Sequence, residues 1–306
     1  MRTVTIGPHR IELTHTDRVL FPEAGITKGD LIAYYRDMAD TMLPHLQGRP
    51  LTLHRFPGGL AKGGFIQKEA PDYYPDWIRR VSVAKEQGRL TQAVCDNAAT
   101  LVYLANQDCI TLHVWLSRVD HLDFPDRMAF DLDPPDTDFA LARSAARDLR
   151  DLLAELGLTA YLMTTGSRGL HVLVALAPKT DFDTVRHFAH QVAEALVRRD
   201  PDRRTTEPRK EQRGGRLYVD ILRNAYAQTT VAPYSVRARA SAPVATPLGW
   251  SELDDPELTS DRYTLRTIPE RLAQRGDPWE RMEAADSLEA PRRRLQALLS
   301  GGKDTS

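Results

Sequence analysis

The stretch Met128-Ala129-Phe130-Asp131-Leu132-Asp133-Pro134 governs how this chain is read. In an extended strand alternate side chains share a face, so Phe130 and Leu132 turn toward a core and Asp131 and Asp133 turn away from it. Pro134 and Pro135 end the strand. Downstream, residues 138–156 carry Leu141, Ala145, Leu149, Leu152 and Leu153 at helical spacing. Residues 158–164 and 170–176 read as strands, 181–198 as a second amphipathic helix, and 216–222 as a further strand. Strand, helix, strand, strand, helix, strand is a split βαβ order, which predicts an α+β fold with helices on one sheet face.

Toward the N-terminus the signals mix. After Thr27 and Lys28, residues 29–46 place Leu31, Tyr34, Tyr35, Met38 and Met42 at helical spacing, with Pro44 and Gly48 closing the region. Residues 50–56 and 63–69 are strand-like and are joined through the turn Pro57-Gly58-Gly59. Residues 91–106 read as a helix with Leu101, Leu104 and Ala105 buried, and 287–299 as a short helix with a basic face. The expected organisation is an N-terminal α/β subdomain over 1–114, a core over 115–240 and a C-terminal extension over 241–306 with a frayed tail.

Lys plus Arg is 41 and Asp plus Glu is 42 in 306 residues, a net charge of −1. That balance excludes a globally basic nucleic-acid coat and leaves local patches to do any polyanion binding. There is no long apolar run and no signal-peptide core, so a cytoplasmic protein with no membrane contact is expected. Cys95 and Cys109 read as reduced core residues. Positive charge is concentrated instead. Residues 49–68 hold Arg49, Arg55, Lys62 and Lys68 with no acid, and residues 213–239 hold five arginines against Asp220 alone. Phe56, Phe65 and Trp77 near the first stretch could stack on bases.

Two carboxylates on one strand face repel unless a cation lies between them, and hard divalent ions suit that donor set. A solvated edge strand would explain Asp131 and Asp133 equally well. Asp220 adds weight, because a carboxylate within the apolar run 217–222 is costly unless paired or metal-bound. An ion pair with Arg213, Arg216 or Arg223 is the plainer alternative for it. The turn 164–169 (TTGSRG) offers two glycines, the hydroxyls of Thr165 and Ser167, and Arg168, a set able to cradle phosphates. His171 opens the next strand beside it, and His113 faces away from the core side of its own.

Taken in order, FDLDP, TTGSRGLH, RLYVDILRN and TTVAPYSVRAR resemble the polymerase domain of bacterial ligase D, in the archaeo-eukaryotic primase superfamily. LTHTDRVLFP and GRPLTLHRFPGG support the resemblance near the N-terminus. It implies a primase-polymerase fold with an RRM-like catalytic sheet, and template-directed nucleotide addition at DNA gaps and ends, with ribonucleotides preferred. Asp131, Asp133 and Asp220 would bind two divalent ions, Mn2+ or Mg2+. His113, Thr165, Ser167, Arg168, His171, Arg213, Arg223 and Arg237 would surround the incoming NTP or dNTP. His15, Arg18, His54, Arg55 and Phe65 would meet DNA: His15 and Arg18 at a downstream 5′-phosphate, Phe65 by stacking on the template.

The family commonly has Asn and Lys where this chain has His15 and Arg18, a lysine at His54, an aromatic at Ile66 and a serine at Thr165. No ligase nucleotidylation motif or nuclease segment is evident, so the Ku end-binding protein and a separate ligase are the expected partners. A primer-independent primase, an idle DNA-end-binding module and a phosphatase of the haloacid-dehalogenase type are the competing readings.

Overall fold

The computed structural model describes residues 2–135, 138–285 and 287–301, so the tail beyond 301 lies outside the described residues. The chain divides into two compact units. One comprises Met1–Asp120, Thr229–Thr246 and Asp261–Asp277; the other comprises His121–Gln228, Pro247–Ser260 and Pro278–Ser306. The units are therefore interleaved in sequence. Residues 229–240, assigned above to the core, belong with the N-terminal unit.

The second unit is built on a six-stranded sheet in the order Arg204–Thr205, Leu217–Asp220, Arg127–Asp133, Leu170–Ala175, Tyr161–Thr164, Pro247–Leu248. Leu217–Asp220 and Leu170–Ala175 flank the central strand, both antiparallel to it. Met128, Phe130 and Leu132 are completely buried. The helices Phe139–Glu155 and Phe182–Arg199 pack on the sheet. The first buries Ala142, Ala145, Ala146, Leu149, Leu152 and Leu153 along one stripe, and Leu141 is only half-buried. The second starts at Asp181, whose carboxylate accepts from the Thr184 amide at 2.8 Å. That bond holds the Asp181 carboxyl below its usual range.

The strand expected over 216–222 stops at Asp220. Asp220 Oδ1 accepts from the Leu222 amide at 2.7 Å, and residues Leu222–Asn224 turn into a 3-10 helix. The buried Asn224 then completes the sheet in place of a strand. Its side chain accepts from the Ala129 amide at 2.8 Å and donates to the Ala129 carbonyl at 2.7 Å.

The first unit holds a four-stranded sheet, Thr229–Val231, Cys109–Trp115, Leu51–Arg55, Phe65–Gln67, with three two-stranded hairpins and four helices among its described residues. Two expectations fail here. The helical run over 29–46 is two helices, Lys28–Asp37 and Ala39–Leu46, broken at Met38. The helix over 91–106 begins only at Ala98, where Asn97 caps it by accepting from the Thr100 amide at 2.8 Å. The preceding Arg89–Ala93 is a strand paired with Arg80–Ala84, a hairpin pairing that overrides the helical periodicity. Cys95 and Cys109 are buried free thiols, and burial pushes the Cys109 thiol up to about 12. No helix among the described residues is long and apolar enough to cross a membrane.

Candidate active site

Strand register assembles the site in the second unit. Asp131 lies directly opposite Asp220 on one neighbouring strand and opposite His171 on the other. Asp133, two residues on, shares the face of Asp131. Both carboxylates of the central strand are about a quarter exposed, at 23% and 26%. His171 is buried and its Nε2 is 3.5 Å from Asp131 Oδ2. Its buried Nδ1 has no hydrogen-bond partner among the described residues.

Asp133 is gripped from two sides. Arg213 donates to its Oδ2 at 3.2 Å, and Arg168 Nη2 is 3.4 Å from its Oδ1. Arg213 also stacks on Tyr218 at 4.1 Å and donates to the carbonyl of Pro208, so its guanidinium is well anchored. Burial raises the Asp220 carboxyl above its usual range, and the facing Asp131 adds to the rise. The Leu222 amide, Arg223 and the Tyr218 hydroxyl, which donates to Asp220 at 3.3 Å, oppose it. Burial and then Asp220 likewise push the Tyr218 hydroxyl up. A cavity of about 210 Å3 opens beside Asp133, lined also by Arg168, Lys210, Arg213 and Arg216. Four cations against one carboxylate suit a polyanionic guest.

The turn after Thr164 is tightly built. Gly166 has φ +63, and at Gly169 an added Cβ would lie 2.0 Å from the Leu132 carbonyl oxygen. The backbone can pass the end of the aspartate strand only without a side chain there. The Thr165 hydroxyl is buried and faces inward, accepting from the amides of Ser167 at 3.2 Å and Gly169 at 3.3 Å. Those two amides, expected to reach a phosphate, are thus spent inside the turn. Arg168 is what the turn extends toward the aspartates.

The other expected residues lie in the first unit. His113 is half-buried, with Thr52 and Val231 as register neighbours. His54 packs against Phe56 with ring centroids 4.4 Å apart. Burial lowers its pKa, and the charge of Arg237 lowers it further. Arg55 donates to the Gln107 carbonyl and to Gln67, both at 2.7 Å, and its guanidinium sits 5.7 Å from the centroid of Phe65. Phe65 is 48% exposed, whereas Phe56 is buried and Trp77 stacks on His9 at 4.3 Å, so of those three only Phe65 is presented to solvent.

His15 is exposed with φ +51, and Arg18 reaches Asp108 at 3.1 Å. The sequence reading missed Lys28. It is buried, 3.4 Å from Asp108 and 3.2 Å from the Thr14 hydroxyl, and burial lowers its pKa against the pull of Asp108. A lysine in the first turn of a helix runs against the helix dipole, and that local oddity was the available signal. Lys210 was missed too, since nothing local marks it beyond charge, and Arg216, expected as an ion partner of Asp220, lines the cavity beside Asp133.

Among the described residues no three His, Cys, Asp or Glu side chains converge as a ready metal site. The donor set still fits a hard divalent ion. Three carboxylates share one sheet face, two of them directly opposed, and Asp133 is engaged by two guanidinium groups.

The chain resembles known proteins over most of its length. Residues 27–279 match the model of the LigD primase-polymerase domain. The multifunctional non-homologous end joining DNA repair protein LigD of Mycobacterium tuberculosis is 36% identical over 301 residues, covering 94% of this chain and 39% of that protein. The bifunctional LigD of Bacillus subtilis is 32% identical over 272 residues, covering 88% of this chain and 44% of that protein. This chain therefore spans less than half of those relatives. The solved polymerase domain of M. tuberculosis ligase D in complex with DNA superposes with a TM-score of 0.84 at 35% identity, covering 89% of this chain and 98% of that one. With its α+β sheet, its ordered motifs and this likeness over most of its length, the chain belongs to the LigD primase-polymerase domain family.

Proposed function

We propose that this protein is a template-directed nucleotidyltransferase that extends primers at DNA gaps and ends during non-homologous end joining, with ribonucleotides preferred. The observation that carries the reading is the apposition of Asp131 and Asp220 in strand register, with Asp133 on the same face and cations around it. Asp131, Asp133 and Asp220 would hold two divalent ions, manganese or magnesium, which supply the Lewis acidity that ionises a primer 3′-hydroxyl and steadies departing pyrophosphate.

The chain's own residues then do the rest. Arg168 and Arg213 meet the triphosphate, and His171 donates to it beside Asp131. Ser167 and Arg223 border the same site. For His113 and Arg237, which lie in the first unit, a role toward the nucleotide rests on the family likeness alone. Arg18 and His15 form the 5′-phosphate contact, with the buried Lys28 sharing Asp108 with Arg18, while Phe65, fixed by Arg55, stacks on the template; His54 lines the same sheet. Ku and a separate ligase would complete repair.

The test is extension of a labelled primer across a short gap with a downstream 5′-phosphate. It compares ribonucleotides with deoxynucleotides, manganese with magnesium, and wild type with Asp131→Ala. Templated addition that disappears in the variant supports the reading. No addition under any condition returns the site to DNA-end binding alone. Synthesis without a primer would make it a primase.

A further inference from the structure

Arg143 on the helix Phe139–Glu155 makes an unusual set of contacts. Its guanidinium donates to the carbonyls of Leu253 at 3.1 Å, Asp255 at 2.6 Å and Pro256 at 3.1 Å, and also to that of Leu258. Four carbonyls of one irregular segment are thereby satisfied by one side chain, which itself packs over Phe139 at 5.3 Å. Arg147, one turn on, adds the Leu253 carbonyl at 2.9 Å and the Asp254 carboxylate at 2.7 Å.

The clasped segment ends in Ser260, which is 4% exposed. Its hydroxyl donates to the Gly169 carbonyl at 2.8 Å. Its oxygen lies 3.1 Å from the Thr165 hydroxyl and accepts from the Ser167 amide at 3.3 Å. A residue 91 positions away in sequence thus ties three points of the turn that carries Arg168. Within the turn the Thr165 hydroxyl bonds the same Gly169 carbonyl at 3.1 Å and the same Ser167 amide, so Ser260 braces these points from outside the turn.

We infer that Ser260, presented by the Arg143 clasp, is a positioning residue that sets the direction of the Thr165–Gly169 turn and so the affinity for nucleotide phosphates. The inference rests on the nucleotidyl-transfer reading. Arg168 approaches Asp133 at 3.4 Å only while the turn keeps its present course. A displacement of about an ångström is enough to weaken a preorganised charge contact.

The experiment measures KM and kcat for ribonucleotide in primer extension, nucleotide binding by a fluorescent ATP analogue, and the melting temperature. It uses wild type, Ser260→Ala, Ser260→Thr and Arg143→Met. A roughly 5- to 20-fold rise in KM and in the analogue's Kd is expected for Ser260→Ala, with kcat within about twofold and an almost unchanged melting temperature. Arg143→Met should move KM the same way, and Ser260→Thr, which keeps the hydroxyl, should restore most of the affinity. Unchanged KM in Ser260→Ala overturns the inference, as does a loss of kcat that tracks melting or a Ser260→Thr no better than alanine. A wild type that binds no nucleotide at all overturns the underlying reading and the inference with it, an outcome told apart by the wild-type lane alone.

Discussion

Asp131 and Asp220 stand directly opposite each other on neighbouring antiparallel strands, two carboxylates in a position where a sheet ordinarily places a favourable pair. Side chains so placed have Cβ atoms about 4.5–5.5 Å apart, close enough for like charges to destabilise the pairing. The fold tolerates this because the Leu222 amide and the Tyr218 hydroxyl donate to Asp220, and His171 lies beside Asp131. The arrangement is costly for folding and useful for binding cations.

Asp220→Asn should therefore stabilise the metal-free protein while abolishing nucleotide addition. The gain expected is on the order of 0.5–1 kcal/mol at neutral pH, the size of a cross-strand charge effect. The sign follows from linkage. The folded carboxyl titrates above the usual value of 3.8, so between the two values the native state binds more protons than the unfolded one. Stability from this group is lost as pH rises through that window, and melting curves of the asparagine variant should lack that component. A variant less stable than wild type at pH 7 would show that the opposed carboxylates are not the cost proposed.

Asp131→Ala should leave the fold intact and reduce primer extension by a factor of about 100 or more, since the lost group meets the reacting centre rather than the core. Circular dichroism and extension assays on the same preparation check both halves. More than a few per cent residual activity would remove Asp131 from the catalytic set.

Gly169→Ala tests the close passage of the turn. Its new methyl would meet the Leu132 carbonyl oxygen at 2.0 Å, so the turn or the aspartate strand must shift, at a cost of about 1–3 kcal/mol. A lowered denaturation midpoint together with impaired nucleotide binding is expected, and wild-type behaviour in both would contradict the geometry.

Lys28→Met tests the buried cation that local patterning did not expose. Removing it leaves Asp108 with Arg18 alone. The preference for a gap bearing a 5′-phosphate should fall by about tenfold, because Asp108 then competes with the phosphate for Arg18. Equal loss of affinity for phosphorylated and unphosphorylated gaps would assign Lys28 a purely structural role.

Asn224→Ala should cost about 1–3 kcal/mol, because both the amide and the carbonyl of Ala129 lose their partner inside a buried sheet. Urea unfolding gives the number directly, and a loss within error would mean that strand pairing around Ala129 closes without it.

Much of the second unit was legible in sequence because its signals are local. Alternation placed Phe130 and Leu132 inward and Asp131 and Asp133 outward, and helical stripes marked the two helices within a residue or two. The paired prolines marked the strand end. The ordered motifs added the family, which no single period or composition could carry. Two local elements differ from the apolar spacing: Arg89–Ala93 joins a hairpin with Arg80–Ala84, and Met38 separates two helices where that spacing runs on unbroken.

Which residues could share a face, and which carry charge, was therefore determined by the chain itself, since side-chain alternation depends only on backbone geometry. Register was decided in three dimensions. That Asp131 meets Asp220 and His171, that Arg168 and Arg213 both reach Asp133, and that Ser260 closes a turn 91 residues away depend on pairings between segments remote in sequence. Such pairings are settled by the burial of the whole apolar face, because a slip of one residue would send Phe130 and Leu132 into water and the aspartates into the core.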